Sequence, residues 1–364
     1  MKKLKLGMVG GGQGAFIGGV HRYAARLDGR FDLVAGALSS DPERAATSAA
    51  ELGIERSYSD FNEMAAAESA RDDGIDAVAI VTPNHMHAAP AIAFLQAGIH
   101  VICDKPLTAT AEQAEELAQA AQASDAHFIL THNYTGYPLM RQARQMIADG
   151  ELGQLRVIQA EYAQDWLTEA SDADNKQAAW RTDPKLSGAG AIGDIGTHAF
   201  NLLSFVTGLG TQSLMADLHA FVDGRQVDDN AHIMLRMEGG ARAMLWASQV
   251  AVGNENSLKL RIYGDRGGIE WEQENPNRMT FTRFGQPKQI ITRGHDGNAA
   301  WTRIPGGHPE GYLEAFATIY SDAADRILGT GGELLPDINA GLDGMWFIRA
   351  CQQSAQQNSV WIDR

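Results

Sequence analysis

A short, largely apolar run that leads straight into a glycine-rich turn constrains this chain more than any other feature. Leu4 to Val9 forms the run, and Gly10-Gly11-Gly12-Gln13-Gly14-Ala15 follows it directly. The turn fits the pattern G-x-G-x-x-A, whose glycines permit a tight bend and let backbone N–H groups approach a pyrophosphate. A strand-to-helix turn without a ligand also fits these residues alone. Its position at the start of a βαβ unit favours dinucleotide binding.

Four more apolar runs follow, and segments of helical character separate them. Pro42 to Leu52 is one such helix, with Asp41 as its N-cap, and His87 to Ala97 is another, closed by Gly98. Strands that alternate with helices predict a doubly wound α/β domain with a parallel sheet. The four predicted strands are Phe31 to Leu38, Ile75 to Val81, Ile99 to Cys103 and His127 to Leu130.

The pattern changes after about Tyr134, where alternating and β-rich segments predict a largely antiparallel sheet. We therefore expect a Rossmann domain over residues 1–132 and a second α/β domain, for substrate binding and oligomerisation, over 133–364. The predicted helices are Asp194 to Thr207, Gly311 to Leu328 and Ala340 to Gln356, the last expected to pack back on the first domain. The predicted strands are 156–162, 214–221, 231–237, 241–250, 258–263, 268–272 and 279–283.

Length, charge and cysteine content narrow the class of protein. A chain of 364 residues is long enough for two domains, and its net charge of -15 argues against nucleic acid as a partner. Cys103 and Cys351 are the only cysteines and lack metal-site spacing, which favours a reducing compartment. No segment approaches the roughly 20 apolar residues of a membrane span. We expect a cytoplasmic protein with no metal and no membrane partner.

The residues after the second predicted strand bear on the choice of cofactor. An acid usually binds the adenosine ribose of NAD here, but the strand ends in Leu38-Ser39-Ser40-Asp41. Asp41 precedes Pro42 and is better explained as a helix cap, which leaves Ser39 and Ser40 at the ribose, with Arg44 one turn on. Two hydroxyls and a guanidinium also suit the 2′-phosphate of NADP, unless Arg44 is simply a solvated helix residue. The choice between NAD and NADP stays open.

Two loops follow later strands at the edge where such sheets bind ligands. Thr82-Pro83-Asn84-His85-Met86-His87 contains two histidines whose spacing of two does not suit a metal site on a helix. We expect this loop to contact the nicotinamide ribose. Asp104-Lys105-Pro106 follows the next strand. An exposed lysine is usually only a surface charge, but at this edge the Lys105 ammonium can donate to a substrate hydroxyl.

In the second domain, Asp194 and His198 are four residues apart, so on a helix they share one face and can hold and deprotonate a hydroxyl. A helix cap and a packed core histidine are the alternative interpretation, which Lys105 and the glycine turn make less favoured. Aromatic and amide side chains that suit a sugar ring lie elsewhere in this domain, and each alone is a weak indication: Tyr162, Gln164, Trp166, Trp180, His308 and Tyr312.

Together these motifs resemble the Gfo/Idh/MocA family, named after glucose-fructose oxidoreductase and inositol dehydrogenase. The resemblance covers nearly the full length: Gly10 to Ala15, Asp104-Lys105-Pro106 as the counterpart of the family's Glu-Lys-Pro, and Gly193-Asp194-Ile195-Gly196-Thr197-His198. It implies a Rossmann domain joined to an open, mainly antiparallel sheet, and a homodimer or homotetramer. Two positions depart from the family's pattern. Asp104 has a shorter side chain than the usual Glu, and Ser39 replaces the acid that marks an NAD enzyme.

The resemblance also implies roles for individual residues. Lys105 would polarise the hydroxyl, Asp194 would hold it or support the base, and His198 would accept its proton. Asn133 and Arg181 lie where family members contact cofactor or substrate, while Trp180, His308 and Tyr312 would line the sugar pocket. The expected cofactor contacts are Gly10, Gly12, Gln13, Gly14, Ala15, Phe16, Ser39, Ser40, Arg44, Thr82, Pro83, Asn84, His87, Asp104, Lys105, Asn133 and Arg181. The expected substrate contacts are Lys105, Tyr162, Gln164, Trp180, Asp194, His198, His308 and Tyr312.

These expectations leave three functions to compare. The leading hypothesis is an NAD(P)-dependent dehydrogenase acting on a secondary alcohol of a sugar, glycoside or cyclitol, or on the corresponding ketone. The second is an oxidoreductive glycosidase, in which transient oxidation at C3 permits elimination of the aglycone and the cofactor is restored. The third is a nucleotide-binding regulator without chemistry, against which the presence of Lys105, Asp194 and His198 argues.

Overall fold

The computed structural model describes residues 3–170 and 181–364, and the chain divides into two compact units. The first unit comprises residues 1–133 and 312–345, and the second comprises 134–311 and 346–364. The sequence predicted a boundary after residue 132 and expected only the last helix to pack back on the first domain, whereas the whole of residues 312–345 groups with the first unit. The sequence pattern marks where helices lie, but it does not show against which sheet a late helix packs.

The first unit contains a six-stranded parallel sheet in the order β3-β2-β1-β4-β5-β6. The order reverses between β1 and β4, which is the doubly wound arrangement that the sequence predicts. Only the two-residue β3 was not expected. The strands are β1 (Leu4–Gly10), β2 (Phe31–Ala37), β3 (Arg56–Ser57), β4 (Ala77–Val81), β5 (His100–Cys103) and β6 (Phe128–Leu130).

Helices connect these strands, and their ends follow local sequence signals. Asp41 caps α2 by accepting a hydrogen bond from the Arg44 backbone N–H at 2.8 Å, as the sequence predicts, and Gly53 ends the helix with φ 66°. A 3-10 turn, Asn84–Met86, precedes α4. The helices are α1 (Phe16–Leu27), α2 (Pro42–Leu52), α3 (Phe61–Ser69), α4 (Ala88–Gln96) and α5 (Ala111–Ala123).

The second unit contains a nine-stranded sheet in the order β14-β13-β12-β11-β7-β10-β9-β8-β15. All neighbouring strands are antiparallel except β7 and β10, so the prediction of a mainly antiparallel sheet is confirmed. The strands are β7 (Leu155–Ala163), β8 (Thr211–His219), β9 (Asn230–Met237), β10 (Arg242–Ser248), β11 (Ser257–Gly264), β12 (Gly267–Glu272), β13 (Arg278–Arg283), β14 (Gln289–Thr292) and β15 (Ile362–Asp363).

Five further helices complete the described chain, and every helix within residues 3–170 and 181–364 is too short or too polar to cross a membrane. They are α6 (Pro138–Ala148), α7 (Pro184–Ser187), α8 (Thr197–Thr207), α9 (Tyr312–Leu328) and α10 (Ile338–Gln356). α8 packs on β7 and on α6. α10 is divided, because its residues up to Met345 group with the first unit and those from Trp346 with the second.

Helix α9 completes the apolar core of the first unit. Its buried side chains Phe316 and Tyr320 join Val20 of α1 and Phe31 of β2 in one apolar cluster. At its far end, the Asp325 carboxylate accepts a hydrogen bond from the Arg30 guanidinium at 2.6 Å. The sequence predicted this helix but assigned it to the second domain, because an apolar stripe does not identify the surface that it covers.

The buried carboxylate of Glu68 provides a stability test for the first unit. It accepts hydrogen bonds from the Arg56 guanidinium at 2.7 and 2.9 Å and from the Tyr58 hydroxyl at 2.9 Å. Glu68→Ala removes the shared acceptor of the Arg56 guanidinium, the Tyr58 hydroxyl and the buried Ile75 N–H, so we expect a loss of about 3 kcal/mol in the free energy of unfolding. Thermal and urea unfolding measure it. Asp72→Asn, at an exposed position, is the control; equal stability of both variants would contradict the prediction.

Candidate active site

The glycine turn lies between β1 and α1 and has the backbone geometry that only glycine adopts readily. Gly10, Gly11 and Gly14 have φ values of 80°, 71° and 79°. The Ala15 N–H donates to the Gly12 carbonyl at 3.1 Å, which closes the turn. Ala15 is also the N-cap of α1, and because alanine has no capping oxygen, the first N–H groups of this helix are available to an anion.

Close backbone packing explains why glycine is needed at positions 12 and 18, whereas Gly14 borders open space. A Cβ atom on Gly18 would lie 2.5 Å from the Gly11 Cα atom, and a Cβ on Gly12 would lie 2.7 Å from the Leu38 carbonyl oxygen. The turn therefore presses against α1 and the end of β2. At Gly14, by contrast, a Cβ would meet no described atom within 4 Å. Gly14 is the position where a ligand can approach the backbone.

Side chains around the turn are arranged as follows. The Gln13 amide donates to Glu51 at 2.6 Å, so this side chain is already engaged, whereas the Phe16 ring is 69% exposed. Ser40 and Arg44 are exposed after β2, and the Ser39 hydroxyl accepts a hydrogen bond from the Asp41 backbone N–H at 3.2 Å. Both serines and Arg44 thus lie near the carboxyl end of β2, where the sequence placed the adenosine ribose.

His87 links the two loops that were expected to contact the nicotinamide end of the cofactor. It is fully buried, with Nδ1 2.8 Å from the Pro106 carbonyl oxygen and Nε2 2.8 Å from the Thr82 carbonyl oxygen. Burial lowers the pKa of His87, and the charge of Asp104 and the carbonyl oxygens oppose that shift. Both ring nitrogens contact backbone, so the expected cofactor contact of this side chain is revised: His87 holds the loops together.

Asp104 follows β5 and remains ionised although its side chain is only 14% exposed. Its Oδ1 atom accepts hydrogen bonds from the Lys105 backbone N–H at 2.9 Å and the Thr131 hydroxyl at 3.1 Å, and the His21 Nε2 atom lies 3.9 Å away. Burial raises the pKa of Asp104, but His21 and then Lys105 outweigh that effect and bring the pKa to about 2. The Lys105–Pro106 peptide bond is cis.

His21 and Tyr320 were not predicted as parts of this region. The His21 Nδ1 atom lies 2.8 Å from the Tyr320 hydroxyl, and both side chains are buried. Burial raises the pKa of Tyr320 far above its ordinary range, so its hydroxyl keeps its proton. In the sequence His21 lies on the apolar face of α1 and resembles a core residue. Tyr320 is too distant in sequence for any motif to join the two.

Asn133, just after β6, offers a hydrogen-bond donor in a buried position. It is 1% exposed, and its Nδ2 atom has no hydrogen-bond partner within residues 3–170 and 181–364. A buried amide left in this state normally binds a ligand or water. The adjacent His132 is neutral, because burial and then the Lys105 ammonium lower its pKa to about 3. The role of Asn133 in binding cofactor or substrate stays a prediction.

In the second unit, Asp194 lies in a π-helical turn and not at the start of a regular helix. The turn spans Ile192–Gly196 and leads directly into α8, whose first turn carries His198. The prediction of one regular helix from Asp194 is therefore corrected. The Asp194 Oδ2 atom accepts a hydrogen bond from the Gln249 amide at 2.9 Å and lies 3.3 Å from the Arg181 Nε atom. This carboxylate is held by side chains and does not act as a cap.

His198 lies against two tyrosines. Its ring is 4.9 Å from that of Tyr134, edge to face, and 6.3 Å from that of Tyr162. The two tyrosine hydroxyls are 2.5 Å apart, and burial raises the pKa of Tyr134, so that hydroxyl stays neutral. The histidine is 8% exposed, in a wall that is aromatic but carries hydroxyl groups.

A chain of amides extends from these tyrosines. The Asn256 Oδ1 atom accepts hydrogen bonds from the Tyr162 hydroxyl and the Gln164 amide, each at 2.8 Å. Trp166 in turn donates to Gln164 at 2.9 Å. Tyr162 and Gln164 were predicted as substrate contacts, whereas Asn256, Gln249 and Tyr134 were missed. Single amides in alternating strands carry no sequence signal, and only the folded sheet shows that they converge.

The remaining predicted site residues do not form one described group. Trp180 lies outside the described residues, and His308 is exposed at an open cavity of about 1120 Å³ in the second unit. Tyr312 begins α9 in the first unit, with its ring 5.2 Å from that of Phe316. Arg181 accompanies Asp194, and its guanidinium lies 6.0 Å from the Trp166 ring centre. Across residues 3–170 and 181–364, no cluster of three or more histidine, cysteine or acidic residues is arranged to hold a metal ion.

Two family models match the chain. The oxidoreductase family with an NAD-binding Rossmann fold matches residues 4–134, and the GFO/IDH/MocA C-terminal domain matches residues 140–270. These matches agree with the glycine turn in the first unit and with the π-helical turn and α8 in the second. The chain is therefore an oxidoreductase with an NAD-binding Rossmann domain.

Relatives of known structure or activity agree with this assignment. An oxidoreductase from Sinorhizobium meliloti is 53% identical, covers 100% of both chains and has a TM-score of 0.92. An inositol dehydrogenase homolog from Azotobacter vinelandii, complexed with NADH and myo-inositol, is 38% identical over 100% of this chain and 98% of that chain, with a TM-score of 0.91. The levoglucosan dehydrogenase of Pseudarthrobacter phenanthrenivorans is 31% identical over 77% of this chain and 76% of its own length.

Neighbouring glycines in α1 provide a matched test of the nucleotide turn. A Cβ on Gly18 would collide with Gly11, whereas a Cβ on Gly19 would have the Arg22 Nη2 atom as its nearest neighbour, at 3.9 Å. We expect Gly18→Ala to weaken NADH binding at least roughly tenfold, equivalent to about 1.4 kcal/mol, and Gly19→Ala to leave it unchanged. Fluorescence titration with NADH measures both affinities. Equal affinities would contradict the importance of this contact.

Proposed function

The chain belongs to the Gfo/Idh/MocA family of oxidoreductases, and on that basis we propose that it transfers a hydride between nicotinamide and a secondary alcohol or ketone of a sugar or cyclitol. The observation that carries the proposal is the arrangement around Asp194. This carboxylate is held by Gln249 and Arg181 one turn before His198, a buried imidazole lined by tyrosine hydroxyls. Such a pair can orient a hydroxyl and accept its proton.

The residues of the first unit fit a dinucleotide. The uncapped N-terminus of α1 and the open space at Gly14 suit a pyrophosphate, and the buried amide of Asn133 has a donor to offer. When bound, the nicotinamide ring supplies the acceptor for a hydride. The protein contributes the orientation and the proton transfer.

Each catalytic side chain has a separate task in the proposed oxidation. The Lys105 ammonium donates a hydrogen bond to the substrate hydroxyl and lowers its pKa. His198 accepts the hydroxyl proton, a task suited to imidazole, whose ordinary pKa is about 6.5. Asp194 holds the hydroxyl or favours the imidazolium that forms. A bound nicotinamide would supply C4 as the acceptor for the hydride, so the alcohol would lose one proton to His198 and one hydride, which is two hydrogens and two electrons in total.

The substrate class follows from the relatives and from the side chains near His198. One relative has been crystallised with myo-inositol and another is named for levoglucosan. In this chain, Tyr162, Gln164 and Asn256 supply hydroxyl and amide groups of the kind that hydrogen-bond to several hydroxyls of one ring. These features support a sugar or cyclitol as the substrate.

Turnover of a substrate panel tests the proposal. With sugars and cyclitols and either NAD or NADP, we expect a change in the absorbance of reduced nicotinamide for at least one substrate. Lys105→Ala and His198→Ala should each lower kcat by at least about 100-fold while NADH binding survives. Lys288→Ala and His219→Ala, at exposed positions in the second unit, are the controls.

The results separate the competing functions. Normal rates in both Lys105→Ala and His198→Ala would refute the mechanism. Release of a free aglycone with catalytic cofactor and no net reduced nicotinamide would indicate the oxidoreductive glycosidase instead. Partner-protein binding without turnover across the whole panel would indicate a regulator.

The pair Ser39 and Ser40 provides a separate test of cofactor choice. We propose that these hydroxyls face the adenosine ribose, with Arg44 beside them, at the position where NAD enzymes usually carry an acid that would repel a 2′-phosphate. Ser39→Asp should raise the preference for NAD over NADP at least roughly tenfold, measured as the ratio of kcat/KM values. Thr47→Asp, an equal charge at an exposed site on α2, is the control. An unchanged ratio in Ser39→Asp would place the ribose elsewhere.

A further inference from the structure

Asp228, at the end of the loop between β8 and β9, holds the segment that leads to Asp194. Its carboxylate accepts hydrogen bonds from the Gly190 N–H at 2.9 Å and the Ile192 N–H at 2.8 Å, and its backbone carbonyl accepts one from the Ala191 N–H at 2.8 Å. The backbone N–H groups of three consecutive residues, 190–192, therefore all donate hydrogen bonds to Asp228. The Gly190 carbonyl then accepts the N–H of Asp194 at 3.0 Å, so the held segment continues into the π-helical turn.

The contact between this segment and Asp228 is so close that it requires glycine. A Cβ atom on Gly190 would lie 1.8 Å from the Asp228 carbonyl oxygen. Because no side chain fits there, the two stretches of backbone meet directly. The glycine-rich segment before Asp194 thus packs directly against the backbone of Asp228.

A second route reaches the Asp194 side chain through the next residue, Asp229. The Asp229 carbonyl accepts the Gln249 backbone N–H at 2.8 Å, and the Gln249 amide donates to the Asp194 Oδ2 atom at 2.9 Å. Asp229 itself is fixed, because its buried carboxylate accepts hydrogen bonds from the Phe221 N–H at 2.9 Å and the Arg225 guanidinium at 3.1 Å.

We propose that the consecutive pair Asp228 and Asp229 are positioning residues for the reaction, which hold Asp194 by its main chain and by its side chain at once. This inference rests on the proposed function. A π-helical turn is intrinsically less favourable than a regular helix and persists where its surroundings fix it. Here the fixing groups are the Asp228 oxygen atoms, which accept from the N–H groups of residues 190–192 at the start of the turn, and the Gln249 amide, which donates to Asp194. The pair controls the orientation of Asp194 without contacting the substrate.

The surroundings of Asp228 explain why a carboxylate and not an amide is needed. Two oxygen atoms accept from two N–H groups, whereas asparagine would turn an NH₂ group toward one of them. Burial raises the pKa of Asp228 to about 6, the Ile192 and Gly190 amides oppose that rise, and the neighbouring Asp229 charge adds to it. Cys351 of α10 also lies near, and its thiol is kept neutral by burial, which raises its pKa.

The test combines hydrogen–deuterium exchange of the ligand-free protein with steady-state kinetics. Asp228→Asn should speed exchange at Gly190 and Ile192 at least about tenfold and lower kcat by about 10- to 100-fold, with the KM for the nucleotide unchanged. Gln249→Leu should lower kcat without changing exchange at Gly190. Asp265→Asn is the matched control, because Asp265 accepts the Gln154 N–H at 2.9 Å in an exposed turn of the same unit.

The outcomes distinguish this inference from the proposed function. If the wild type turns over no substrate, the proposed function fails, while exchange at Gly190 and Ile192 still decides whether Asp228 holds the turn. Faster exchange with unchanged kcat, or unchanged exchange, would overturn the positioning role. If Asp228→Asn does not fold, Gln249→Leu decides: a normal kcat in that variant overturns the proposal, and a reduced kcat with unchanged nucleotide KM supports it.

Discussion

The reversal of strand order between β1 and β4 is the constraint on which the first unit depends. Parallel strands end at a common edge, so the residues that follow β1, β4, β5 and β6 meet there although they are far apart in sequence. The glycine turn, Thr82, Asp104 and Asn133 all occupy this edge. Their chemistry differs, but the same topology places each of them. The His87 ring contacts the carbonyl oxygens of Thr82 and Pro106, and so it holds two of these loops together.

Two aspartates show how the surroundings move the pKa of the same side chain in opposite directions. Asp104 is close to His21 and Lys105, and its pKa falls to about 2, so it is a permanent anion. Burial raises the pKa of Asp228 to about 6, because the Ile192 and Gly190 N–H groups oppose the rise only in part and the neighbouring Asp229 charge adds to it. The first can balance a positive charge beside the nucleotide edge. The second serves as an acceptor of hydrogen bonds, and its geometry matters more than its charge.

Local signals in the sequence predicted the elements well, and long-range contacts lie beyond them. The cap residue Asp41 and the following Pro42 predicted the start of α2, and the change of pattern after about Tyr134 predicted the second sheet. The unit to which α9 belongs was not predictable, because its apolar stripe fits any apolar surface. Of the region around Asp194, the motif itself was visible, but Gln249, Asn256 and Asp228 come from separate strands and loops. Their convergence depends on strand pairing, which periodicity does not specify.

The return of the chain to the first unit has a consequence for its synthesis. Residues 1–133 contain the whole parallel sheet, yet α1 lacks its apolar cover until Phe316 and Tyr320 have been made. A ribosome adding residues from the N-terminus therefore exposes an incomplete core throughout the synthesis of the second unit. The nucleotide-binding unit begins the sequence, but its apolar core is complete only after most of the chain has been synthesised. A gene fragment that stops near residue 133 would encode its strands without the helix that closes them.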